Sequence, residues 1–266
     1  MFDKLLLPID PSKRLRPARN YALALARRLS VPLIATYVSN PTKTGTVTAS
    51  KEARRGLEAL GKRQLDQFIE ETTNVKVEPL LKSGKRRKVL AQLIDEGIAD
   101  TLVLGPFRSV LTRLFTGSEV ERILDSESSH AFVIRKEHPL PGSGSPALVV
   151  FDGPVLPEKA LKMLEEFSRK FKCDLELLHI GTEISGGAEA IDKAVEQLRN
   201  NLGGDYHVTS TIVPLSFFKT RRAITNSVVD SEGARIVILP DIDDAVSDIL
   251  LHQLVLSASV PVCVLR

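Results

Sequence analysis

Residues 103–124, VLGPFRSVLTRLFTGSEVERIL, are the stretch whose residue types and spacing suggest ligand chemistry. An apolar strand ends at Gly105, a loop follows, and Gly117 stands twelve positions on, where Thr116-Gly117-Ser118 opens a helix. Glycines let backbone N–H groups come close to a bound anion, and a helix N-terminus adds partial positive charge, so this pattern suits a phosphate cradle. Ser118 with Glu121 also forms a capping box, which satisfies the first N–H groups of the helix without a ligand. The sequence leaves both readings open.

Catalytic chemistry has weaker support. The chain lacks GxSxG, HExxH and the GxxxxGK[ST] phosphate loop, so no nucleophile or general base can be assigned from a motif. Its five histidines are scattered, and His130 and His179 lie in or beside apolar strands, where a structural role is expected. Cys173 and Cys263 stand alone in apolar stretches, without CxxC or Cys/His spacing, and are expected to be buried thiols in a reducing compartment. No catalytic residue and no metal site is predicted; ATP hydrolysis, if any, would be slow.

The elements that must position the candidate loop read clearly. Apolar strands are expected at about residues 4–9, 32–38, 75–81, 101–104 and 131–135. Between them run helical stripes: Ala18, Ala22, Leu25, Ala26 and Leu29; then Leu57, Leu60, Leu65, Phe68 and Ile69; then Val89, Leu90, Leu93 and Ile94. The Pro-, Gly- and Ser-rich stretch EHPLPGSGSP at 137–146 marks a boundary between domains 1–138 and 146–266. Beyond it the pattern returns: KLLLPID is answered by ALVVFDG, DTLVLGP by RIVILPD and HAFVIRK by VPVCVLR, an internal duplication, with helical stripes Ala160, Leu161, Leu164, Phe167 and Phe171; then Ile191, Ala194, Val195 and Leu198; then Ala223, Ile224 and Val228; and last Val246, Ile249, Leu250 and Leu254.

Near-continuous apolar strands alternating with amphipathic helices predict an α/β fold, with two tandem doubly wound domains. Each is a five-stranded, mostly parallel sheet with helices on both faces. Ligands of such sheets settle at the carboxyl ends of the strands, which brings forward Asp10 after the first strand and Gly105 after the fourth.

Composition narrows the classes further. No apolar run reaches the length of a membrane span, and no export signal opens the chain, so a soluble, cytoplasmic protein without membrane insertion is expected. Residues 1–138 carry 24 Lys and Arg against 16 Asp and Glu, a net +8, and residues 139–266 carry 12 against 17, a net −5. The basic runs PSKRLRPARN (11–20) and KSGKRRK (82–88) follow the first and third strands. They serve as a solvated surface, as attraction for polyphosphate, or as attraction for the acidic half. Nucleic acid is disfavoured, because only 5% of residues are aromatic, none is tryptophan, and no nucleic-acid-binding motif appears.

LLLPID near the start, KSG at 82–84, ADTLVLG at 99–105, RLFTGSEVERIL at 113–124 and HAFVIR at 130–135 together resemble the universal stress protein family in its tandem, two-domain form. The resemblance implies a Rossmann-like fold of the adenine nucleotide alpha hydrolase type and, in members that bind ATP with Mg, a loop of the form Gly, two residues, Gly, nine residues, Gly, then Ser or Thr. Gly105 matches its first position and Gly117-Ser118 its last, but Arg108 stands where the middle glycine belongs and the loop is one residue short. The guanidinium of Arg108 is then the group that replaces the lost backbone contacts. By the same resemblance Asp10 contacts the adenosine part and Val38 lies beside the adenine ring; without a ligand, Asp10 is a loop or capping aspartate and Val38 is core.

The equivalent stretch of the second half, LPDIDDAVSDILLHQLVLSAS (239–259), contains no glycine, and Asp241, Asp243, Asp244 and Asp248 crowd it. Like-charge repulsion should oppose phosphate there, leaving a degenerate domain that serves as packing partner or interaction surface. The resemblance implies a regulatory stress-response protein with ATP as its cofactor and an unidentified protein partner. It also implies intramolecular pairing of the two domains through their last strands, with a homodimer left open. The alternative is a nucleotide-independent interaction module, such as a scaffold or transporter regulator, with both sites vestigial.

Overall fold

The computed structural model describes residues 1–39, 51–105, 129–153, 155–181, 187–214, 234–242, 246–247, 250–251, 254–255 and 258–266. Two compact units divide the chain, Phe2–Ile134 and Arg135–Arg266.

In the first unit the elements follow in the order β1 (Leu5–Ile9), a 3-10 turn (Lys13–Leu15), α1 (Arg16–Leu29), β2 (Leu33–Ser39), α2 (Lys51–Glu70), β3 (Val77–Ser83), α3 (Arg86–Asp95), β4 (Thr101–Leu104) and β5 (His130–Val133). The strands pair in parallel in the order β3-β2-β1-β4-β5. Every residue of β1 and β4 is buried, as expected of central parallel strands covered on both faces. Strand β3 is mostly exposed and carries Pro79, which an edge strand tolerates because its N–H is not needed by a second neighbour. It runs two residues later than its apolar residues predict.

Helix α1 begins with Pro17 in its first turn and ends at Ser30, whose left-handed backbone (φ 57°) lets its N–H reach the carbonyls of Ala26 and Arg27. Its buried residues Ala18, Tyr21, Ala22, Leu25 and Ala26 form one stripe of period 3.6. The stripe of α2 differs from expectation. Leu60 is exposed, and Gly61, Leu65 and Phe68 are the residues that face inward. A Cβ on Gly61 would lie 2.5 Å from Cδ1 of Tyr37 and 2.7 Å from Cδ1 of Leu81. The Tyr37 ring thus occupies the space a side chain would take, which turns the helix so that Leu60 lies at the rim.

The second unit repeats the plan with β6 (Ala147–Phe151), α4 (Glu158–Phe171), β7 (Leu175–Gly181), α5 (Gly187–Leu202), β8 (Val208–Pro214), β9 (Ile236–Pro240) and β10 (Val262–Leu265). Its parallel order is β8-β7-β6-β9-β10. The predicted stripes on α4 and α5 are buried, with Phe167 and Phe171 stacked 4.4 Å apart between centroids. The third predicted stripe, Ala223, Ile224 and Val228, lies outside the described residues. Both cysteines are buried and unbridged, and burial pushes the Cys263 thiol well above its ordinary pKa, which keeps it protonated and unreactive.

His138, half-buried in the connection between β5 and β6, supplies a pH dependence. Burial lowers its pKa below the ordinary 6.5 and the Arg235 guanidinium lowers it further, against a smaller opposing effect of a backbone hydrogen bond with Pro139. As pH falls, the unfolded chain therefore takes up the proton first. The stability this group contributes near neutral pH is lost as pH drops through 6.5 toward the lower folded value. Urea midpoints measured between neutral and mildly acid pH should decline, and His138→Asn should flatten that part of the decline.

Candidate functional site

Strand order reverses between β1 and β4: from β1 the chain builds outward through β2 and β3, then returns to the other side of β1 as β4. A crevice forms at the carboxyl ends of two strands whose connections depart in opposite directions. Asp10 leaves β1 on one side of it and Gly105 leaves β4 on the other, so the structure brings these two predicted residues to the same place. Val38, half-buried, is the penultimate residue of β2 and lies on the same strand-end side. Arg108, Gly117 and Ser118 lie outside the described residues.

Asp10 is held from two directions. Its Oδ1 accepts a hydrogen bond from the Ser12 N–H at 2.7 Å, closing a local turn, and its Oδ2 lies 3.3 Å from a terminal guanidinium nitrogen of Arg86. Both side chains stay partly open to solvent, at 34% for Asp10 and 25% for Arg86. Arg86 is the first residue of α3, and β2 separates β3 from β1, so the Arg86 side chain crosses the carboxyl end of β2 to reach Asp10. Tyr37 on β2 registers both charges. Burial raises its phenol pKa most, the Asp10 carboxylate raises it further, and Arg86 lowers it.

Arg86 and Tyr37 were not singled out by sequence reasoning. Arg86 was one cation among five in KSGKRRK, and only the parallel register distinguishes it from its exposed neighbours Lys85, Arg87 and Lys88. The loop that carries it begins at Gly84, whose φ of 143° suits glycine and whose N–H donates to the Ser39 carbonyl at 2.8 Å. That bond fixes where α3 starts. In the other basic run Lys13 and Arg14 are exposed, whereas Arg19 is spent structurally: it pairs with Glu71 at 2.7 Å and covers the Phe68 ring at 4.8 Å.

Gly105 has a packing reason to be glycine. An added Cβ would meet Cδ1 of Leu15 at 2.9 Å and Cβ of Ala18 at 3.3 Å, so the end of β4 is pressed against the start of α1. The equivalent position in the second unit, fixed by the pairing of β9 with β6, is Pro240.

The second unit's strand ends are arranged differently. Asp152 takes the place of Asp10, and its carboxylate accepts hydrogen bonds from the Ser247 N–H at 2.6 Å and from the Ser247 hydroxyl. Ser247 also accepts the Leu250 N–H at 3.3 Å, so the loop after β9 is tied to the end of β6 by its own side chains. His179 occupies the position of Tyr37; it is buried, its Nε2 lies 3.1 Å from the Gly153 carbonyl and its ring packs 5.0 Å from Phe151. Asp241, predicted to repel phosphate, is not an uncompensated charge: Arg266 donates to its Oδ2 from Nε at 2.7 Å and from a second guanidinium nitrogen. Asp243, Asp244 and Asp248 lie outside the described residues. Among the described residues there is no metal-binding group of three or more His, Cys, Asp or Glu side chains, and no helix is long and apolar enough to cross a membrane.

Comparison with known proteins agrees with this architecture. A universal stress protein from Archaeoglobus fulgidus DSM 4304 superposes with a TM-score of 0.72 at 17% identity, over 99% of this chain and 96% of the other. A functionally unknown protein from Pseudomonas aeruginosa PAO1 gives 0.60 at 13% identity, over 99% and 92%. These likenesses establish a shared fold. No curated protein sequence matches the chain. Residues 1–134, which include β1 to β5 and the Asp10 crevice, match the universal stress protein family, and the chain therefore belongs to that family.

Proposed function

We propose that the first domain binds ATP with Mg in the crevice between β1 and β4, and that occupancy regulates an interaction with a protein partner, the second domain contributing structure and surface. The observation that carries this is the convergence of Asp10 and Gly105 on the two sides of the strand-order reversal, beneath a strand end where Val38 can flank an adenine ring. Asp10 would accept from the adenosine part. Beyond the described residues, Gly117, Ser118 and Arg108 would hold the phosphates, so that nucleotide occupancy biases the loop between Gly105 and Ser118 and the surface it presents. The second domain takes no nucleotide in this reading, because Ser247 already engages Asp152.

Calorimetric titration of ATP with Mg into nucleotide-stripped protein should give one site per chain, weakened by Arg108→Ala. The absence of both binding heat and thermal stabilisation at millimolar ATP would overturn the proposal. A nucleotide-independent interaction module is the second reading, favoured by one observation: Leu15 and Ala18 explain Gly105 without a ligand.

A further inference from the structure

We propose that Arg86 makes the first-domain crevice selective for phosphorylated over unphosphorylated nucleosides by cancelling the charge of Asp10. This rests on the nucleotide reading above and extends it to a residue outside the glycine loop.

An uncompensated carboxylate at the end of β1 would face any polyanion entering the crevice, and at separations of about 8–10 Å its repulsion is only partly screened. Arg86 removes that charge from the field. As a stabilising contact the pair is weak: its charged groups lie 3.3 Å apart on side chains that are a quarter and a third exposed, a class of ion pair that adds little stability. Nor does helix α3 need the cation. Its first turn contains no acid, its N-cap Lys85 makes no side-chain cap bond, and Arg86, Arg87 and Lys88 all stand at the end of the helix dipole that disfavours positive charge. The guanidinium is held against an unfavourable local field, and its consequence is felt across the end of β2 at Asp10.

The duplication supplies a comparison within the chain. Asp152 stands where Asp10 stands, but its hydrogen-bond partners among the described residues are the N–H and O–H of Ser247, neither of them charged. The half with the charge-cancelling arginine is thus also the half that keeps Gly117 and Ser118.

The test compares ATP with adenosine, each by displacement of a fluorescent ATP analogue, on the full chain and its Arg86→Gln, Asp10→Asn and doubly substituted variants. Arg86→Gln should weaken ATP about three- to tenfold and adenosine less than about twofold, the gap narrowing near 0.5 M salt. In the double variant both groups are neutral, so the ratio of ATP to adenosine affinity should return to that of the unmodified protein, even though loss of the Asp10 contact weakens both ligands. An unchanged ratio in Arg86→Gln would overturn the inference while leaving nucleotide binding intact. A lowered ratio that the double variant fails to restore would also overturn it, in favour of direct contact between Arg86 and phosphate. If the unmodified protein bound neither ligand, the inference and the proposed function would fall together.

Discussion

Gly105→Val should lower the unfolding midpoint of the first domain by about 6–12 °C, the equivalent of about 2–3 kcal/mol. A Cβ alone would lie 2.9 Å from Cδ1 of Leu15 and 3.3 Å from Cβ of Ala18. The leucine terminus can rotate away, but the alanine Cβ is fixed to the backbone of α1 and can yield only if the helix moves. Valine adds two further methyl groups at that contact. Gly105→Ala asks for the leucine shift and a give of a few tenths of an ångström at Ala18, without the further methyl groups of valine, and should cost about 1 kcal/mol. Differential scanning calorimetry of both variants checks the order, and a valine variant that melts within about 2 °C of the unmodified protein would contradict the packing account. The same pair of variants informs the nucleotide reading: if Gly105→Ala folds well yet loses ATP, backbone approach to phosphate is a second requirement at this residue.

That glycine shows how far the sequence could be read. Alternating apolar strands and period-3.6 stripes specify the parallel sheet because burial on both faces leaves few other solutions, and β1, β4, β6 and β9 are accordingly buried throughout. Where one face is open the signal weakens, which is why β3, with Glu78, Pro79 and Lys82 along its edge, begins later than its apolar residues suggest. Leu60 misled for a related reason: pattern counts a large apolar residue as inward, whereas the close approach of Tyr37 demanded the smallest residue, Gly61, at the contact. At the site, Asp10 was legible because strand ends carry ligands in such sheets, but its partner was not. Arg86 lies 76 positions away and becomes its neighbour only through the β3-β2-β1 register, which no local pattern encodes.

Asp241→Ala is expected to destabilise the second domain by about 2–3 kcal/mol while leaving ATP affinity unchanged. Counting aspartates in DIDDAVSD suggests a patch of free negative charge, but Asp241 is mostly buried, with its side chain 20% exposed and that of Arg266 11% exposed. Its backbone N–H also donates to the Leu265 carbonyl at 2.9 Å, so the residue ties the end of β9 to β10 through both backbone and side chain. Removing the carboxylate leaves a largely desolvated guanidinium without this partner, and that penalty, more than the lost attraction, sets the expected size. Asp241→Asn keeps an acceptor oxygen and should recover part of the loss. Because the pair is shielded, the effect should persist in high salt, unlike that of Arg86→Gln. If Asp241→Ala instead left stability unchanged and allowed a second ATP to bind, the aspartate would be the electrostatic block that the sequence suggests, and the second crevice would be closed by charge rather than by its own Ser247.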